Sequence, residues 1–335
     1  MATTSSVAAA PAPASGWSQP VRADPQPATD PEGGGKYSDG FSGLSCPSAS
    51  FCAGIDFAGN ALTFDGKRWS APTSLNLGDD ARGGAYPHAV SCANARFCVA
   101  LDYQGDALTY NGSSWSSPAI VDRAARTAAN SAELNLISCP TTSFCAAADS
   151  NGTVFTSNGS KWSAGRRVDP PGHHTGPKAI SCPSAAFCVL VDASGNVVTY
   201  KHGVWSKPVH IDKRYGLTSV SCPTTSWCEA LDSLGGVATY SHGKWAVVSK
   251  ALNTRAYGDP TALSCAKPGF CGVVGYNFDH PSHYAAVQTG KKWLAPVQID
   301  HRSESDQNIA CPQTGLCMVA TPDGNVRTYR QAPAG

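Results

Sequence analysis

Fourteen cysteines fall into seven pairs of one spacing, and no other feature of the chain constrains its fold as strongly. The pairs are Cys46/Cys52, Cys92/Cys98, Cys139/Cys145, Cys182/Cys188, Cys222/Cys228, Cys265/Cys271 and Cys311/Cys317. Each encloses five residues, and successive pairs recur every 40 to 47 residues. An even number at a fixed local spacing reads as a disulfide framework, and hence as a chain made for an oxidising compartment. The rival reading, thiolate ligation of a metal, needs two pairs converging on one ion with roughly two to four residues between ligands. Closing so small a loop contributes at most about 2 kcal/mol per disulfide in the chain-entropy view.

The cysteine period is the period of a sequence repeat. LSCPSASFCAGIDFAGNALTFDGKRWSAP is followed by VSCANARFCVALDYQGDALTYNGSSWSSP, ISCPTTSFCAAADSNGTVFTSNGSKWSAG, ISCPSAAFCVLVDASGNVVTYKHGVWSKP and VSCPTTSWCEALDSLGGVATYSHGKWAVV. A sixth unit begins LSCAKPGFC and a seventh IACPQTGLC. No unit carries apolar residues at helical spacing, and the length suits a four-stranded propeller blade. A first strand ends at the first cysteine, and a second runs from Phe-Cys to a D-x-x-G turn. A third alternates, as in Asn60-Ala61-Leu62-Thr63-Phe64, and ends at hairpins such as Asp65-Gly66 or Asn111-Gly112. The fourth starts near the Trp and runs through W-S-x-P. Gly and Asn at these turns accept positive φ, which is what tight hairpins need.

The last unit stops at Tyr329-Arg330 without its W-S-x-P strand, whereas Gly16-Trp17-Ser18-Gln19-Pro20-Val21 is an orphan copy of one. If the orphan completes the seventh blade, the ring closes and no sheet edge is left bare between the ends. The expected fold is therefore all-β: a seven-bladed β-propeller of four-stranded antiparallel blades, closed by an N-terminal strand, with one disulfide per blade. The repeat tryptophans become Trp17, Trp69, Trp115, Trp162, Trp205, Trp245 and Trp293, expected to pack between blades. Asp56, Asp102, Asp149, Asp192 and Asp232 recur before a turn Gly and are expected to make Asx-type turn bonds.

With these motifs in hand, the chain resembles a secreted bacterial seven-bladed β-propeller built from S-C-P-x-x-x-F-C repeats, over residues 16–330. The resemblance implies the fold but no single activity, because propellers serve as lectins, hydrolases, lyases, oxidoreductases and scaffolds. The repeat lacks the Gly-His and Trp-Asp dipeptides of WD40 blades and the S-x-D-x-G-x-T-W box of sialidases. Residues 1–15 are rich in Ala, Pro, Ser and Thr and read as a disordered N-terminus rather than an intact signal peptide; residues 331–335 form a tail. A secreted, extracellular, monomeric protein is expected.

Composition removes other classes. Lys+Arg 25 against Asp+Glu 24 gives a net charge of +1, without the basic excess of a nucleic-acid binder. No apolar stretch approaches the roughly 18 residues of a membrane helix. No nucleotide-binding Gly-rich loop, G-x-S-x-G elbow or H-E-x-x-H helix occurs.

Catalysis needs unlike groups converging on one place, so the divergent blade-to-blade loops hold the candidates. They share one face with the turns between second and third strands, around the channel mouth. Tyr37, Arg82, Tyr86, His88, Tyr215, Arg255, Tyr257, Asp259, His301 and Arg302 lie in or beside them. The sixth blade departs most: Gly275 replaces the turn Asp, and Tyr276-Asn277-Phe278-Asp279-His280-Pro281-Ser282-His283-Tyr284 reads as an extended loop. His280, His283, Tyr257, His301 and His88 are the candidate catalytic residues. Arg255, Arg302, Arg82, Tyr37, Tyr86, Tyr215 and Asp259 are the candidates for substrate binding. Asp279, His280 and His283 could ligate a divalent metal such as calcium or manganese. His202 and His242 sit in hairpins of the opposite face and read as exposed turn residues. The expected activity is on an acidic polysaccharide at one composite site, as a lyase or else a hydrolase. The alternative is a non-catalytic, lectin-like propeller with repeated sugar-stacking sites between blades.

Overall fold

The computed structural model describes residues 16–25, 40–77, 86–125, 132–168, 176–246, 249–250, 252–253, 258–277, 282–300 and 308–332. They form seven antiparallel sheets in a ring, and no helix occurs among them. Blade 1 has strands Phe41–Ser48, Phe51–Asp56, Asn60–Phe64 and Thr73–Ser74. The pattern repeats to blade 6, with strands Asp259–Lys267, Phe270–Asn277, Ser282–Thr289, Lys292–Trp293 and Val297–Asp300. Blade 7 has Asn308–Gln313, Leu316–Ala320 and Asn325–Arg330. Its outer edge is supplied from the N-terminus, with Gly16 opposite Arg330, Trp17 opposite Tyr329 and Val21 opposite Val326. First strands of neighbouring blades pack side by side around the axis, including blade 7 against blade 1.

The outer strand is not continuous, as the W-S-x-P reading expected, but two short pieces. Proline has no N–H for the ladder, so pairing lapses there. A serine side chain covers the gap: Ser70 N–H donates to Thr63 O at 2.7 Å, and Thr63 N–H donates back to Ser70 Oγ at 3.0 Å. Ser116, Ser163, Ser206 and Ser18 repeat this device.

All seven cysteine pairs are disulfides, one per blade, each tying first strand to second. Blades 1 to 4 hold Cys46–Cys52, Cys92–Cys98, Cys139–Cys145 and Cys182–Cys188. Blades 5 to 7 hold Cys222–Cys228, Cys265–Cys271 and Cys311–Cys317. The second cysteine of each pair faces the interior: Cys98, Cys145 and Cys188 are fully buried, each in the apolar cluster at its blade's boundary with the one before. No cysteine is left as a free thiol, so the metal-thiolate reading of these pairs falls away.

The serine before each first cysteine has a separate task. Ser45 Oγ accepts the Cys92 N–H of the next blade at 2.9 Å. Ser91, Ser138, Ser181, Ser221 and Ser264 do the same for Cys139, Cys182, Cys222, Cys265 and Cys311. Ala310 takes this place in blade 7, so the seam between blades 7 and 1 lacks the hydroxyl. Ser181→Ala strands the Cys222 N–H and is expected to lower unfolding free energy by about 1–2 kcal/mol, read from the urea midpoint.

Apolar cores lie between blades. Phe144, Ala146 and Ala148 of blade 3 meet Leu190, Val198 and Tyr200 of blade 4. Each repeat Trp joins the cluster between its own blade and the preceding one, as Trp205 does there and Trp17 does between blades 6 and 7. Aromatic rows carry the contact across boundaries: Phe187 lies 5.7 Å from Tyr240, which lies 5.4 Å from Trp245.

The D-x-x-G aspartates are buried in their turns. Asp56 Oδ1 accepts the Asn60 N–H at 2.7 Å, and Asp149 and Asp232 likewise accept from Thr153 and Gly236. A second aspartate, ending the preceding blade, lies against three of them: Asp24 on Asp56, Asp122 near Asp149, and Asp212 on Asp232. Burial holds the Asp56, Asp149 and Asp232 carboxyls above the usual carboxylate range, against the turn N–H groups that pull them down. Glu229, buried beside Gln288, is pushed by desolvation from 4.5 up to about 7. A carboxyl raised in the folded state stabilises it fully below the unfolded value, and that stability is lost as pH rises through the folded one. For Glu229 the loss falls between about pH 4.5 and 7 and amounts to roughly 3 kcal/mol. The urea midpoint should therefore fall from pH 5 to pH 8, and Glu229→Gln should remove much of that slope.

Candidate functional site

The two ends of the ring differ chemically. At one end the cysteine turns meet the third-to-fourth-strand hairpins, as where His202 N–H donates to Ala186 O at 3.0 Å. His202 and His242 lie here, exposed, with φ of 47° and 50° ahead of a glycine. At the other end the blade-to-blade connections return onto the D-x-x-G hairpins. Phe57 N–H donates to Gly40 O at 3.2 Å, and Ser150 N–H donates to Glu133 O at 2.9 Å. Gly216 passes so close to blade 4 that a Cβ would sit 2.1 Å from Ala193 O. The divergent segments therefore depart from and rejoin one face.

On that face blade 6 carries a row of four polar residues, one per strand. Asp259 pairs with Tyr276, Tyr276 with His283, and His283 with Asp300. Directly opposed residues of antiparallel strands share a face, so these side chains line up across the sheet. His283 is 2% exposed, and its Nδ1 lies 2.7 Å from Asp300 Oδ1. The His283 backbone N–H donates to the same carboxylate oxygen at 3.3 Å. The Tyr276 ring lies 4.9 Å from the imidazole, tilted by 47°. Arg327 of blade 7 faces the dyad: burial pulls its guanidinium down, while Asp300 and Asp323 hold it up.

An imidazole whose Nδ1–H is held by a carboxylate has its tautomer and ring plane fixed, with Nε2 left as the basic nitrogen. That is the arrangement a general base requires. It also bears on metal ligation, since His283 would have only Nε2 to offer.

His283 is not a loop residue, as the sequence reading of 276–284 expected. The second strand runs on to Asn277 and the third resumes at Ser282. The apolar run Tyr284-Ala285-Ala286-Val287 favours a buried strand, and Gly275, without a side chain, leaves no turn carboxylate to end the ladder early. Asp300 is the residue that sequence reasoning misses. Its signal is an aspartate recurring at the end of outer strands, in Asp24, Asp122 and Asp212.

Of the other candidates, His88 lies on the first strand of blade 2 with its ring 4.5 Å from Tyr103. Tyr86 and Tyr215 are exposed, 46% and 44%, and Asp259 begins the first strand of blade 6. Tyr37, Arg82, Arg255, Tyr257, Asp279, His280, His301 and Arg302 lie outside the described residues. The dyad thus brings one predicted residue, His283, together with one unpredicted, Asp300, on the strand row that Asp259 begins. Among the described residues the only cluster of three metal-ligating groups is elsewhere: Glu229, Cys265 and Cys271.

No protein-family model matches the chain, and no curated protein matches it. Solved propellers do. A YCF48 structure with a bound D1 peptide is 14% identical, with a TM-score of 0.62 over 88% of this chain and 93% of that one. YCF48 from Cyanidioschyzon merolae gives 12% identity and 0.61 over 94% and 98%. The WD40 propeller domain of Doa1 gives 10% and 0.63 over 88% and 94%. The likeness is one of fold. This chain is a seven-bladed propeller, and its seven disulfides fit an oxidising setting.

Proposed function

We propose that the chain is a secreted, monomeric, carbohydrate-active propeller that takes an acidic polysaccharide at one composite site on the loop-bearing face. The observation that carries this reading is the oriented dyad, His283 Nδ1 on Asp300 at 2.7 Å, in the blade that departs most from the repeat. His283 Nε2 is the base that removes the proton beside a uronate carboxylate, whose developing charge Arg255, Arg302 and Arg82 neutralise. Tyr257, His280 or His301 returns a proton to the leaving oxygen, His88 stands in reserve across the ring, and Tyr37, Tyr86 and Tyr215 stack on sugar rings. A calcium or manganese ion held by Asp279 and His280 would serve the same carboxylate. Hydrolysis would instead need two opposed carboxylates, for which Asp259 is one candidate. The repeated inter-blade lectin reading gains nothing from the tryptophans, which join the apolar clusters between blades.

Peptide binding is the second reading. Tyr86, Tyr215 and Leu234 are exposed apolar groups, 46%, 44% and 38%, at or beside the connections of this face. A propeller of similar fold holds a peptide. One experiment separates the two: the oxidised protein is incubated with neutral and acidic polysaccharides, with and without calcium or manganese. New reducing ends with ultraviolet absorbance from a double bond mean a lyase; reducing ends without it mean a hydrolase. No product from any polysaccharide would overturn the enzymatic reading and leave the peptide reading standing.

A further inference from the structure

The residue after the second cysteine of each blade points at the disulfide of the next. Met318 Sδ lies 3.4 Å from Cys52 Sγ and 4.0 Å from Cys46 Sγ. A Cβ on Gly272 would stand 2.8 Å from Cys311 Sγ and 3.1 Å from Cys317 Sγ. Ala53, Val99, Ala146, Val189, Gly272 and Met318 keep this place apolar. Blade 5 puts Glu229 there. A Glu229 carboxylate oxygen and the Sγ atoms of Cys265 and Cys271 all lie within 4.8 Å of one another. Glu229 is 4% exposed, Gln288 hydrogen-bonds the carboxyl, and Oε2 has no hydrogen-bond partner among the described residues. Its carboxyl is shifted by burial and by Gln288, with no charged neighbour among the causes. A buried acid with an unused oxygen is thus held against one disulfide of the seven.

We propose that Cys265–Cys271 is an exchangeable disulfide whose reductant is a small thiol or dithiol, with Glu229 as proton donor to the departing sulfur. Cys265, 8% exposed against 0% for Cys271, is the sulfur attacked. Exposed Lys267, which ends the same strand two residues after Cys265, favours an anionic attacker. The thiolate forms a bond to Cys265 Sγ and the Sγ–Sγ bond breaks. The electron pair leaves on Cys271 Sγ, which takes the Glu229 proton, so a carboxylate and a neutral thiol remain. A second thiol group attacks the mixed disulfide, expels Cys265 as a thiolate that takes a proton from water, and is itself oxidised with the first. In a dry site an unassisted disulfide must instead expel a bare thiolate, and a lower-energy leaving group departs faster. A carboxyl raised to about 7 is still largely protonated in mildly acidic medium and can donate there.

Access alone predicts a different order. Cys46 is the one disulfide cysteine that is only partly buried, so Cys46–Cys52 would open first. The folded, oxidised protein is treated with limiting dithiothreitol at pH 6.5 and quenched with iodoacetamide, and the labelled pair is mapped by mass spectrometry. Cys265 and Cys271 are expected to be labelled first, roughly tenfold ahead of Cys222 and Cys228. Glu229→Gln, and Glu229→Ala with the side chain Ala146 has in blade 3, should bring that pair back among the others. The rate per thiolate should fall above pH 7 in the native chain only. Labelling of Cys46 and Cys52 first, simultaneous opening of all pairs, or a native order in both variants would overturn the proposal. Circular dichroism at the quench point separates a folded variant from an unfolded one, whose pairs open together.

Discussion

A chain lacking residues 1–25 is expected to lose the closed ring and to aggregate. The deletion removes Trp17, whose ring lies 5.6 Å from Tyr329, and the buried Ala23 and Asp24. It also removes Ser18, which exchanges backbone and side-chain hydrogen bonds with Thr328 at 2.8 and 3.0 Å. The strand Asn325–Arg330 then has an open edge, which invites pairing with another chain. Truncating a fully buried Trp typically costs about 3–5 kcal/mol; Trp17 is half-buried against the blade 6–7 cluster, so its share is smaller, but the strand pairing and hydrogen bonds are lost with it. Thermal melting should fall by more than about 10 °C, with aggregates on size-exclusion chromatography. A chain lacking only residues 1–15 keeps every described strand and should melt like the parent. Equal melting of all three would refute closure by the N-terminal strands.

The second large effect is expected at the dyad. Asp300→Asn keeps the shape but turns an acceptor toward His283 into a group that can favour the other tautomer, with the proton on Nε2. Turnover of the polysaccharide found in the panel should fall by about 10²–10⁴, with KM little changed. In the proposed mechanism Asp300 is a positioning residue, so the pH profile matters as much as the rate. The variant should lose the limb that reports the base, whereas a packing defect would lower the whole profile without moving it. His283→Gln should abolish turnover outright. Full activity in either folded variant would remove His283 from the mechanism.

How much of this is legible in the sequence depends on whether a residue repeats. Cys46 and Cys52 recur with a fixed gap, and Trp17 sits in an orphan fragment that matches six others, so the blade count and the closing strand follow from register alone. The bond from Ser45 to Cys92 is also present in the repeat, but it crosses to the next blade, and a repeat read unit by unit hides its neighbour. His283 and Asp300 are 17 residues apart and meet only because strands three and four of blade 6 pair in one register. Arg82, Arg255 and Arg302 lie in segments without period, where nothing in the sequence fixes which side chains converge.

The pairing of Gly16 with Arg330 brings the two ends of the fold onto adjacent strands. A short linker could join them, and the chain could be cut anew in the Asp65-Gly66 hairpin, leaving blade 1 divided three strands to one as blade 7 is now. Such a circular permutant would move the covalent break out of blade 7, whose Ala310 offers blade 1 no hydroxyl, into a blade whose Ser45 still bonds its neighbour. The order in which the blades follow one another along the chain is then a convention, and the fold's break does not lie in its best-fastened blade.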